Sequence, residues 1–532
     1  MPPEMPPETP PEETPTQESR NDIAVNPSRD AGVMVTRLTE RLQSDERRVI
    51  SRFFDVGGEQ RVRSVVARVM ALTEDDVGVL LRRVFDDFSH RHHRLEQTFE
   101  RHFTRIQPLL SGDLNLSMNR KLLIGSYFTM EYSIEAAALF NPSIVKHPDQ
   151  SGLKPGEVRF IMSLRATGEG HVSSIVFRTG RIDRRGRVGL RAAAHLPAKL
   201  NIMEDSAYDK KLFFLKLIEM GAYTDAMRLV LDALPGRFTF PQLRSTIEKL
   251  KGELDPPPEG FRDAAESAMW LARSNYTLQV PPDTDPADVV IFPQSENESK
   301  GIEDVRLTRF VDDDGAVTYY GTYTAFNGVR VLPQIFETHD FTRISIHTLN
   351  GKYVQNKGMA LFPRRINGEY VMISRLDGEN MYLMRSDNVY FWNQCEKLSA
   401  PRHPWEFVQI GNCGAPLETK DGWILLTHGV GPMRQYCIGV SLLDLDDPRK
   451  VIGHLSRPLL MPQEDERDGY VPNVVYSCGA ILHEDLIIMP YAISDSASRI
   501  ATIELPELLD ALKSNGNVTP QPTAQTVAAV KP

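Results

Sequence analysis

The sequence predicts a mainly β protein: a five-bladed β-propeller with an N-terminal helical region and an inserted helical subdomain. Two observations favour this fold class. First, similar stretches begin at Val305, Ala360, Ala415 and Ala480, at intervals of 55, 55 and 65 residues, each with two apolar runs around a Gly- or Asp-containing turn. Second, each stretch is followed by a further strand-like segment, as units of about four strands repeated around an axis require. A two-sheet sandwich is the alternative.

Two stretches precede the repeats and differ from them. Residues 1–34 are rich in Pro and Glu and lack the basic and apolar parts of a secretory signal, so we expect a disordered tail. Residues 35–124 are predicted to be helical. Apolar side chains recur at helical spacing from Val77 to Phe88, and the preceding Thr73 is a good N-cap.

Four histidines fall in this helical region, and two interpretations of them have to be compared. They are His90, His92, His93 and His102. One interpretation is a metal site and the other is a charged, solvated helix face. No Cys or carboxylate accompanies them at ligand spacing, so we favour the solvated face and predict no metal.

The rest of the chain is divided between the propeller and one insertion. Residues 125–204 contain strand-like runs and are expected to form the first blade. Residues 205–299 return to helical periodicity and are expected to form a helical insertion and linker. The remaining blades are placed at residues 300–510, and residues 511–532 are expected to be a flexible C-terminal tail.

The composition of the 532 residues is that of a soluble globular protein, with 41% hydrophobic and 25% charged residues. No apolar run is long enough to span a bilayer, and the net charge of −10 argues against a general nucleic-acid binder. The four cysteines form no C-x-x-C pair, which indicates free thiols in a reducing compartment. We therefore expect a cytoplasmic protein without membrane or nucleic-acid partners, and the sequence leaves a homo-oligomer open.

Polar residues at the starts of the repeated stretches are the candidates for a ligand site, because the inner strands of a propeller converge on a central channel. Glu303, Asp304 and Arg306 open the first stretch. One carboxylate would lie in the channel, with the arginine holding it or a substrate hydroxyl. The alternative is a surface salt bridge at a sheet edge.

The second and third stretches add two cations, an acid and a histidine. Lys357 and Arg375 flank a predicted hairpin and together suit an anion such as phosphate; solvated surface charge is the alternative. Glu418 is a candidate base or acceptor for a sugar hydroxyl. His428 is either a satisfied inner-strand histidine or a catalytic one.

These segments together resemble glycoside hydrolase family 130, the β-mannoside phosphorylases and related β-mannosidases. Residues 301–306 are similar to the family's G-x-E-D-P-R segment, with Val305 in place of the usual Pro. Residues 361–370 match its L-F-P-x-x-I-N-G-x-Y strand pair. Residues 422–429 match its G-W-L-x-x-x-H-G hairpin, with Ile424 in place of Leu.

The last blade carries the resemblance as well, through Val471-Pro-Asn-Val-Val475 and Pro490-Tyr491 with Asp495. In all, the resemblance covers roughly residues 135–192 and 300–506. The N-terminal helices and the helical insertion lie outside it and inform on neither activity nor substrate.

The resemblance implies a five-bladed propeller and an inverting attack on a β-mannoside. It places the general acid at Asp304, with the proton passed through a sugar hydroxyl, and phosphate binding at Lys357 and Arg375. We expect His428 to contribute to phosphate binding as well. A third basic position of the family aligns near Glu418, which is acidic here. No cofactor is implied beyond inorganic phosphate as co-substrate. Substrate contacts are expected from Glu303, Arg306, Asn356, Asn412, Tyr436, Asn473 and Asp495.

Three hypotheses follow. The first is a β-mannoside phosphorylase that releases α-mannose 1-phosphate from a small oligosaccharide. The second keeps Asp304 as the acid and makes Glu418 the base for water, as in an inverting β-mannosidase. The third is a non-catalytic propeller that binds glycans or protein, since a fold does not by itself give activity. Asp304, Lys357 and Arg375 in one pocket would argue against the third.

Overall fold

A computed structural model describes residues 25–92, 94–110, 115–198, 200–203, 206–254 and 256–514. Within these ranges the fold is mainly β with two helical regions, which confirms the predicted fold class at this level. The strands pair almost throughout in antiparallel ladders, and the helices lie in three places: between residues 59 and 127, in one insertion, and after the last strand.

The N-terminal region differs from the sequence prediction, because residues 25–53 form strands where a tail and then helices were expected. The helices that follow pack around a buried core that includes Phe99, Phe103 and Leu123. Thr73 is an N-cap as predicted, since its Oγ1 accepts a hydrogen bond from the Asp76 N–H at 3.2 Å. The elements are β1 (Val25–Asp30), β2 (Val33–Leu38), β3 (Val49–Phe53), α1 (Glu59–Met70), α2 (Glu74–Phe88), α3 (Leu95–Ile106) and α4 (Met118–Tyr127).

The histidines of this region do not all lie on a solvated face. His92 is largely buried and its Nε2 lies 2.8 Å from Glu131 Oε1. His102 is buried and its Nδ1 lies 2.7 Å from Thr129 Oγ1. His90 is exposed, and His93 lies outside the described residues. The prediction of a solvated face is therefore wrong for His92 and His102, which pack against the strand that follows α4.

The first sheet of the repeated region is an antiparallel ladder in the order β5-β6-β7-β8. Its central strands are buried along nearly their whole length, as strands covered on both faces are. The strands are β4 (Thr129–Ser133), which pairs with β3, and β5 (Ala138–Lys146), β6 (Val158–Thr167), β7 (Ser173–Ile182) and β8 (Val188–Leu190).

The helical insertion follows this sheet and has its own hydrophobic core, which includes Phe213, Phe238 and Leu271. Short strands at its two ends, β9 and β12, pair with each other and extend a neighbouring sheet. The elements are β9 (Asn201–Met203), β10 (Ala207–Asp209), α5 (Lys210–Glu219), α6 (Asp225–Asp232), β11 (Arg237–Thr239), α7 (Phe240–Glu253), α8 (Phe261–Arg273), β12 (Tyr276–Gln279) and β13 (Val290–Ile291).

Four further sheets follow along the chain. The second sheet is β14-β15-β16-β17, extended by β12 and β9, and one parallel bridge between Gly301 and Ser173 joins it to the first. The third sheet runs from β18 to β21. The strands of these two sheets are β14 (Gly301–Val311), β15 (Val317–Phe326), β16 (Val331–Thr338), β17 (Arg343–Thr348), β18 (Ala360–Leu361), β19 (Tyr370–Ser374), β20 (Met381–Ser386) and β21 (Gln394–Ser399).

The fourth sheet contains β22 to β26 and the fifth contains β27 to β30, to which β2 and β1 of the N-terminal region add antiparallel. The N-terminal strands thus complete the last sheet of the chain. The elements are β22 (Gln409–Asn412), β23 (Leu417–Thr419), β24 (Gly422–Val430), β25 (Tyr436–Leu443), β26 (Val451–His454), β27 (Val475–Tyr476), β28 (Ile481–His483), β29 (Leu486–Ile493), β30 (Ala497–Glu504) and α9 (Leu505–Ser514).

Successive sheets share hydrophobic cores, and the fifth sheet shares one with the first. Burial of these apolar side chains between sheets is the main stabilising contribution to such packing. The five shared cores contain, in order, Phe177 with Leu307, Phe310 with Met372, Phe362 with Trp423, Leu442 with Met489, and Ile488 with Met162. No helix in the described part of the chain combines the length and apolar composition needed to cross a bilayer.

Candidate active site

A bulge in β14 brings two neighbouring carboxylates to one guanidinium. Adjacent side chains of a regular strand point to opposite faces of the sheet, but the pairing of β14 with β15 shifts register between Glu303 and Arg306. Asp304, inside the shift, has a left-handed backbone with φ 58°. Arg165 donates from one NH2 group to Glu303 Oε1 at 2.8 Å and from the other to Asp304 Oδ1 at 3.4 Å.

A second bulge, in β5, supplies an amide to the same carboxylate. The pairing of β5 with β6 shifts register between Phe140 and Ser143, and Asn141 within it has φ 48°. Its side-chain amide donates to Asp304 Oδ1 at 2.6 Å. Asp304 is therefore held by groups from two different strands of the first sheet.

Arg306 is buried at the junction of three sheets. It donates through Nε to Asn412 Oδ1 at 3.0 Å and through a terminal nitrogen to the Tyr476 hydroxyl at 2.6 Å. Its other terminal nitrogen donates to the Asp304 carbonyl oxygen at 2.9 Å. Because all three nitrogens have protein partners, Arg306 holds the second, fourth and fifth sheets together around the carboxylates.

The two predicted cations flank this centre. Lys357 donates from Nζ to Glu303 Oε2 at 2.6 Å, and its side chain is 36% exposed. One terminal nitrogen of Arg375 lies 3.3 Å from His428 Nε2. The Nε of Arg375 is buried and has no hydrogen-bond partner among the described residues. The site thus contains one lysine beside the carboxylates and one arginine with an unused donor.

His428 fixes the position of Arg375. Its ring is buried in β24, opposite Gly411, and its Nδ1 lies 3.1 Å from the Asn412 carbonyl oxygen. Burial and the neighbouring charge of Arg375 hold the pKa of His428 well below its usual value. The neutral ring that donates from Nδ1 to the carbonyl leaves Nε2 as the acceptor for Arg375.

Burial and neighbouring charges shift the pKa values of two aspartates of the site in opposite directions. Burial would raise the pKa of Asp304, but the charges of Arg165 and Arg306 and the Asn141 hydrogen bond outweigh it and lower that pKa. Burial, followed by the negative charge of Asp304, raises the pKa of Asp495 to about 6. Near neutral pH, Asp304 is thus ionised without substrate, and Asp495 is the carboxyl that titrates.

The remaining predicted residues lie around this centre. Tyr436 stacks on His428 with ring centroids 6.0 Å apart, and its backbone N–H donates to the Asn473 carbonyl at 3.0 Å. The Oδ1 of Asn356 accepts from the Lys357 N–H at 2.9 Å. The backbone is left-handed at Asn356, Asn473 and Asp495. Such strained positions cluster at functional sites more often than elsewhere.

Glu418 is the exception, and its predicted role as a base loses its geometric support. Its side chain is 42% exposed and both carboxylate oxygens accept from Arg364, at 2.8 to 3.1 Å. Glu418 pairs with Trp423, which precedes His428 by five residues in β24. At about 3.4 Å per residue, Glu418 lies roughly 17 Å along the strand from the site.

Three residues of the site were missed from the sequence: Asn141, Arg165 and Tyr476. Asn141 carries a weak signal, because Asn-Pro within an apolar run marks a break in a regular strand. Arg165 lies within a strand, and nothing in its own segment distinguishes it from a surface cation. Among the described residues, no group of three or more His, Cys, Asp or Glu side chains is arranged to hold a metal, and the four cysteines are free thiols.

Comparison with known proteins gives related sequences over the same region. The model of glycoside hydrolase family 130, described as beta-1,4-mannooligosaccharide phosphorylase, matches residues 283–514. A 1,2-beta-oligomannan phosphorylase from Thermoanaerobacter sp. (strain X514) is 34% identical over 231 residues, which are 41% of this chain and 73% of the relative. The chain therefore belongs to glycoside hydrolase family 130.

Two Listeria innocua comparisons extend the range of similarity. A beta-1,2-mannobiose phosphorylase from this organism is 29% identical over 268 residues, which are 48% of this chain and 72% of the relative. The solved structure of a beta-1,2-mannobiose phosphorylase from Listeria innocua with beta-1,2-mannobiose covers 72% of this chain and 93% of that chain, at 19% identity and a TM-score of 0.41. The sequence match to the Listeria innocua relative thus covers a slightly larger share of this chain than the match to the Thermoanaerobacter protein does.

Proposed function

We propose that this chain is an inverting phosphorylase of β-mannosides, which transfers a mannosyl group to inorganic phosphate and releases α-mannose 1-phosphate. The observation that carries the proposal is the junction of an acid with two cations. Asp304 adjoins Glu303, Glu303 binds Lys357, and Arg375 presents an unused buried donor next to His428. The phosphorylase relatives support the same reaction.

Asp304 supplies the proton for the leaving sugar. A phosphate oxygen forms a bond to C1 of the mannosyl group while the bond from C1 to the glycosidic oxygen breaks, with inversion at C1. The departing oxygen takes a proton from a sugar hydroxyl, which is replenished by Asp304. Since the lowered pKa leaves Asp304 ionised in the free protein, the proton is taken up when substrate removes water and adds its own hydroxyl groups.

Phosphate is held by Arg375 and Lys357, with His428 as a positioning residue. Arg375 suits an oxyanion because a planar guanidinium can donate two parallel hydrogen bonds, and its Nε is not used by any described residue. The partly exposed Lys357 ammonium has further hydrogens beyond the one given to Glu303. Arg306 contributes charge to this pocket, although its nitrogens already have protein partners.

The hydrolytic alternative is disfavoured by the position of Glu418. An inverting hydrolase needs a carboxylate base roughly 6.5 to 9.5 Å from its acid. Glu418 is paired with Arg364 on the far part of its hairpin. Without that base, phosphate is the better nucleophile for this site.

The test is an assay of β-1,2- and β-1,4-mannobiose with and without inorganic phosphate. We expect a sugar phosphate to form only when phosphate is present, and anomeric analysis by NMR to identify the α product. Release of free mannose at the same rate without phosphate would reject phosphorolysis. In the same assay, Arg375→Ala should weaken the binding of phosphate. Its matched control is Arg364→Ala, which removes an arginine that pairs with Glu418 outside the site.

The fold and the cellular setting belong to the proposal as well. We propose that the five sheets are the blades of a five-bladed propeller, since each shares a core with the next and the fifth shares one with the first. The substrate site then lies where Arg306 joins three of the sheets. We also propose a cytoplasmic protein that uses phosphate as co-substrate without another cofactor, with self-association to be settled by light scattering.

A further inference from the structure

We infer that the helical insertion and the second sheet enclose a second, non-catalytic site for a neutral sugar. A cavity of about 360 Å³ separates them. Its floor is the polar face of the outer strands, where Ser345 of β17 pairs with Thr277 of β12 and with Glu337 of β16. Its roof includes Phe213 and Lys216 of α5.

The cavity contains a carboxylate and an imidazole with unused hydrogen-bonding capacity. Tyr390 donates its hydroxyl to Glu337 Oε2, and its ring packs against the His347 ring with centroids 4.8 Å apart. The His347 Nε2 is buried and without a hydrogen-bond partner among the described residues; it lies 3.9 Å from Glu337 Oε1. A sugar hydroxyl fits this pair, because it can donate to the carboxylate and accept from the imidazole N–H.

The charges favour a neutral polyol over an anion. The Glu337 carboxylate would repel a phosphate. The buried Lys216 ammonium is already used, since it donates to Glu219 Oε2 at 3.1 Å and to the Leu349 carbonyl at 2.9 Å. Burial lowers the pKa of His347, so its ring is neutral near pH 7. Two more cations of the lining, Arg237 and Arg343, are exposed to solvent, which screens their charge.

The remaining lining supports the same class of ligand. Asn275, Thr277, Ser345 and Thr348 add amide and hydroxyl groups, and Tyr208 adds a ring at the same cavity. Sugar sites combine such hydrogen-bonding groups with aromatic faces. The volume is of the size that ligand pockets for small molecules have.

This cavity is distinct from the candidate active site. Asp304 lies in β14, and β17 is the third strand from it in the second sheet. At a spacing of about 4.8 Å per strand, the two strands are roughly 14 Å apart. The roof lies in the insertion, which precedes the family-matched residues 283–514. The inference rests on the proposed function only for the choice of mannosides as probes.

The test is isothermal titration calorimetry of the full chain with β-1,2-mannobiose in phosphate-free buffer, where phosphorolysis does not occur. We expect two sites in the unaltered protein. Glu337→Gln, which keeps the side-chain volume, and Ser345→Leu, which fills the cavity, should each weaken one site at least tenfold. Glu369→Gln, at a half-buried glutamate in the turn that precedes β19 of the third sheet, is the matched control and should leave both sites intact.

Two results would overturn the inference. One is a single site in the unaltered protein that Glu337→Gln and Ser345→Leu both leave unchanged. The other is two sites that both variants leave unchanged. The turnover number with mannobiose and phosphate should be equal in the Glu337→Gln and unaltered proteins, because Glu337 lies outside the active site. If the chain binds two sugars but shows no phosphorolysis, the proposed function fails while the second site stands.

Discussion

Two buried carboxylate clusters in this molecule have similar chemistry and different construction. Glu135 is fully buried and bound by Arg48 at 2.6 Å and by Arg178 at 2.8 and 2.9 Å. Asp304 is 17% exposed, shares Arg165 with Glu303, and lies on a left-handed backbone. Both clusters join a carboxylate to guanidinium groups, yet only the second is open to solvent and strained.

The difference indicates which cluster holds the fold and which meets a ligand. Each left-handed non-glycine residue costs on the order of 1 kcal/mol or more, which surrounding structure must offset. The Asp304 cluster contains three such residues, Asn141, Asp304 and Asp495, and the Glu135 cluster of Arg48, Glu135 and Arg178 contains none. Both oxygens of Glu135 accept from guanidinium groups, so that cluster has a structural role.

The largest expected effect is on turnover at the strained cluster. Asp304→Asn keeps the shape of the side chain but removes the proton that it donates, so kcat should fall by about 10²- to 10⁴-fold. The far-ultraviolet circular dichroism spectrum and the melting temperature should change little. The measurement is the initial rate of sugar phosphate formation from mannobiose. A variant that retains most of its rate would contradict the assignment of the acid.

A substitution in the Glu135 cluster should lower the stability of the protein without changing the rate of the reaction. Glu135→Gln leaves two buried guanidinium groups without their counter-charge, which typically costs about 3–5 kcal/mol. We expect a clear fall in the urea midpoint, with kcat per folded molecule unchanged. If kcat falls as much as it does in Asp304→Asn, the two clusters are not functionally distinct.

The next effect separates the phosphate pocket from the sugar pocket. Arg375→Ala should raise the KM for phosphate by about 10- to 100-fold, the range expected when a charged hydrogen bond is lost. The KM for mannobiose should change much less. Arg364→Ala is the control outside the site. Equal increases in both KM values would show that Arg375 maintains the structure of the whole pocket and does not bind phosphate specifically.

Local turn chemistry allowed part of the fold to be predicted from the sequence. Asn367 and Gly368 have φ values of 53° and 82°, and Ile366 bridges to Glu369 around them, as an Asn-Gly hairpin requires. The sequence also predicts a hairpin turn at Asp421-Gly422, but in the structure this turn is displaced by one residue, because Gly422 already pairs with Thr419 in the ladder. A two-residue loop is therefore recognisable from sequence, but its register depends on the strands around it.

Long-range pairing explains most of what the sequence did not reveal. Strand β2 pairs with β30 across more than four hundred residues, and no local sequence pattern predicts such a partner. Arg165 meets Asp304 in the same way, since 139 residues separate them. The candidate site was predictable where motif residues themselves carry the chemistry, and was not predictable where a distant strand supplies the partner.

A smaller effect concerns the pH dependence of stability at Asp495. Its pKa is raised to about 6 by burial and by Asp304, so its protonated form is favoured in the folded state. This contribution is complete below about pH 4 and is lost as the pH rises through 6. Asparagine does not ionise, so Asp495→Asn does not lose this stability as the pH rises. Between pH 4 and 7 the unfolding free energy of the variant should therefore rise by up to roughly 2 kcal/mol relative to that of the unaltered protein. The measurement is urea denaturation of both proteins across this pH range. A difference in unfolding free energy that stays constant with pH would contradict the raised pKa of Asp495.

The smallest expected effect is at Glu418, the carboxylate that the sequence placed in the site. Glu418→Gln removes an exposed pair with Arg364, and such pairs contribute about 0–1 kcal/mol. Turnover and the KM for phosphate should stay within about twofold of the unaltered protein, because the substitution is roughly 17 Å along β24 from His428. A fall in kcat comparable to that of Asp304→Asn would place a second carboxylate in the reaction beside Asp304 and would restore the hydrolytic mechanism, since no other described acid is assigned as a base for water.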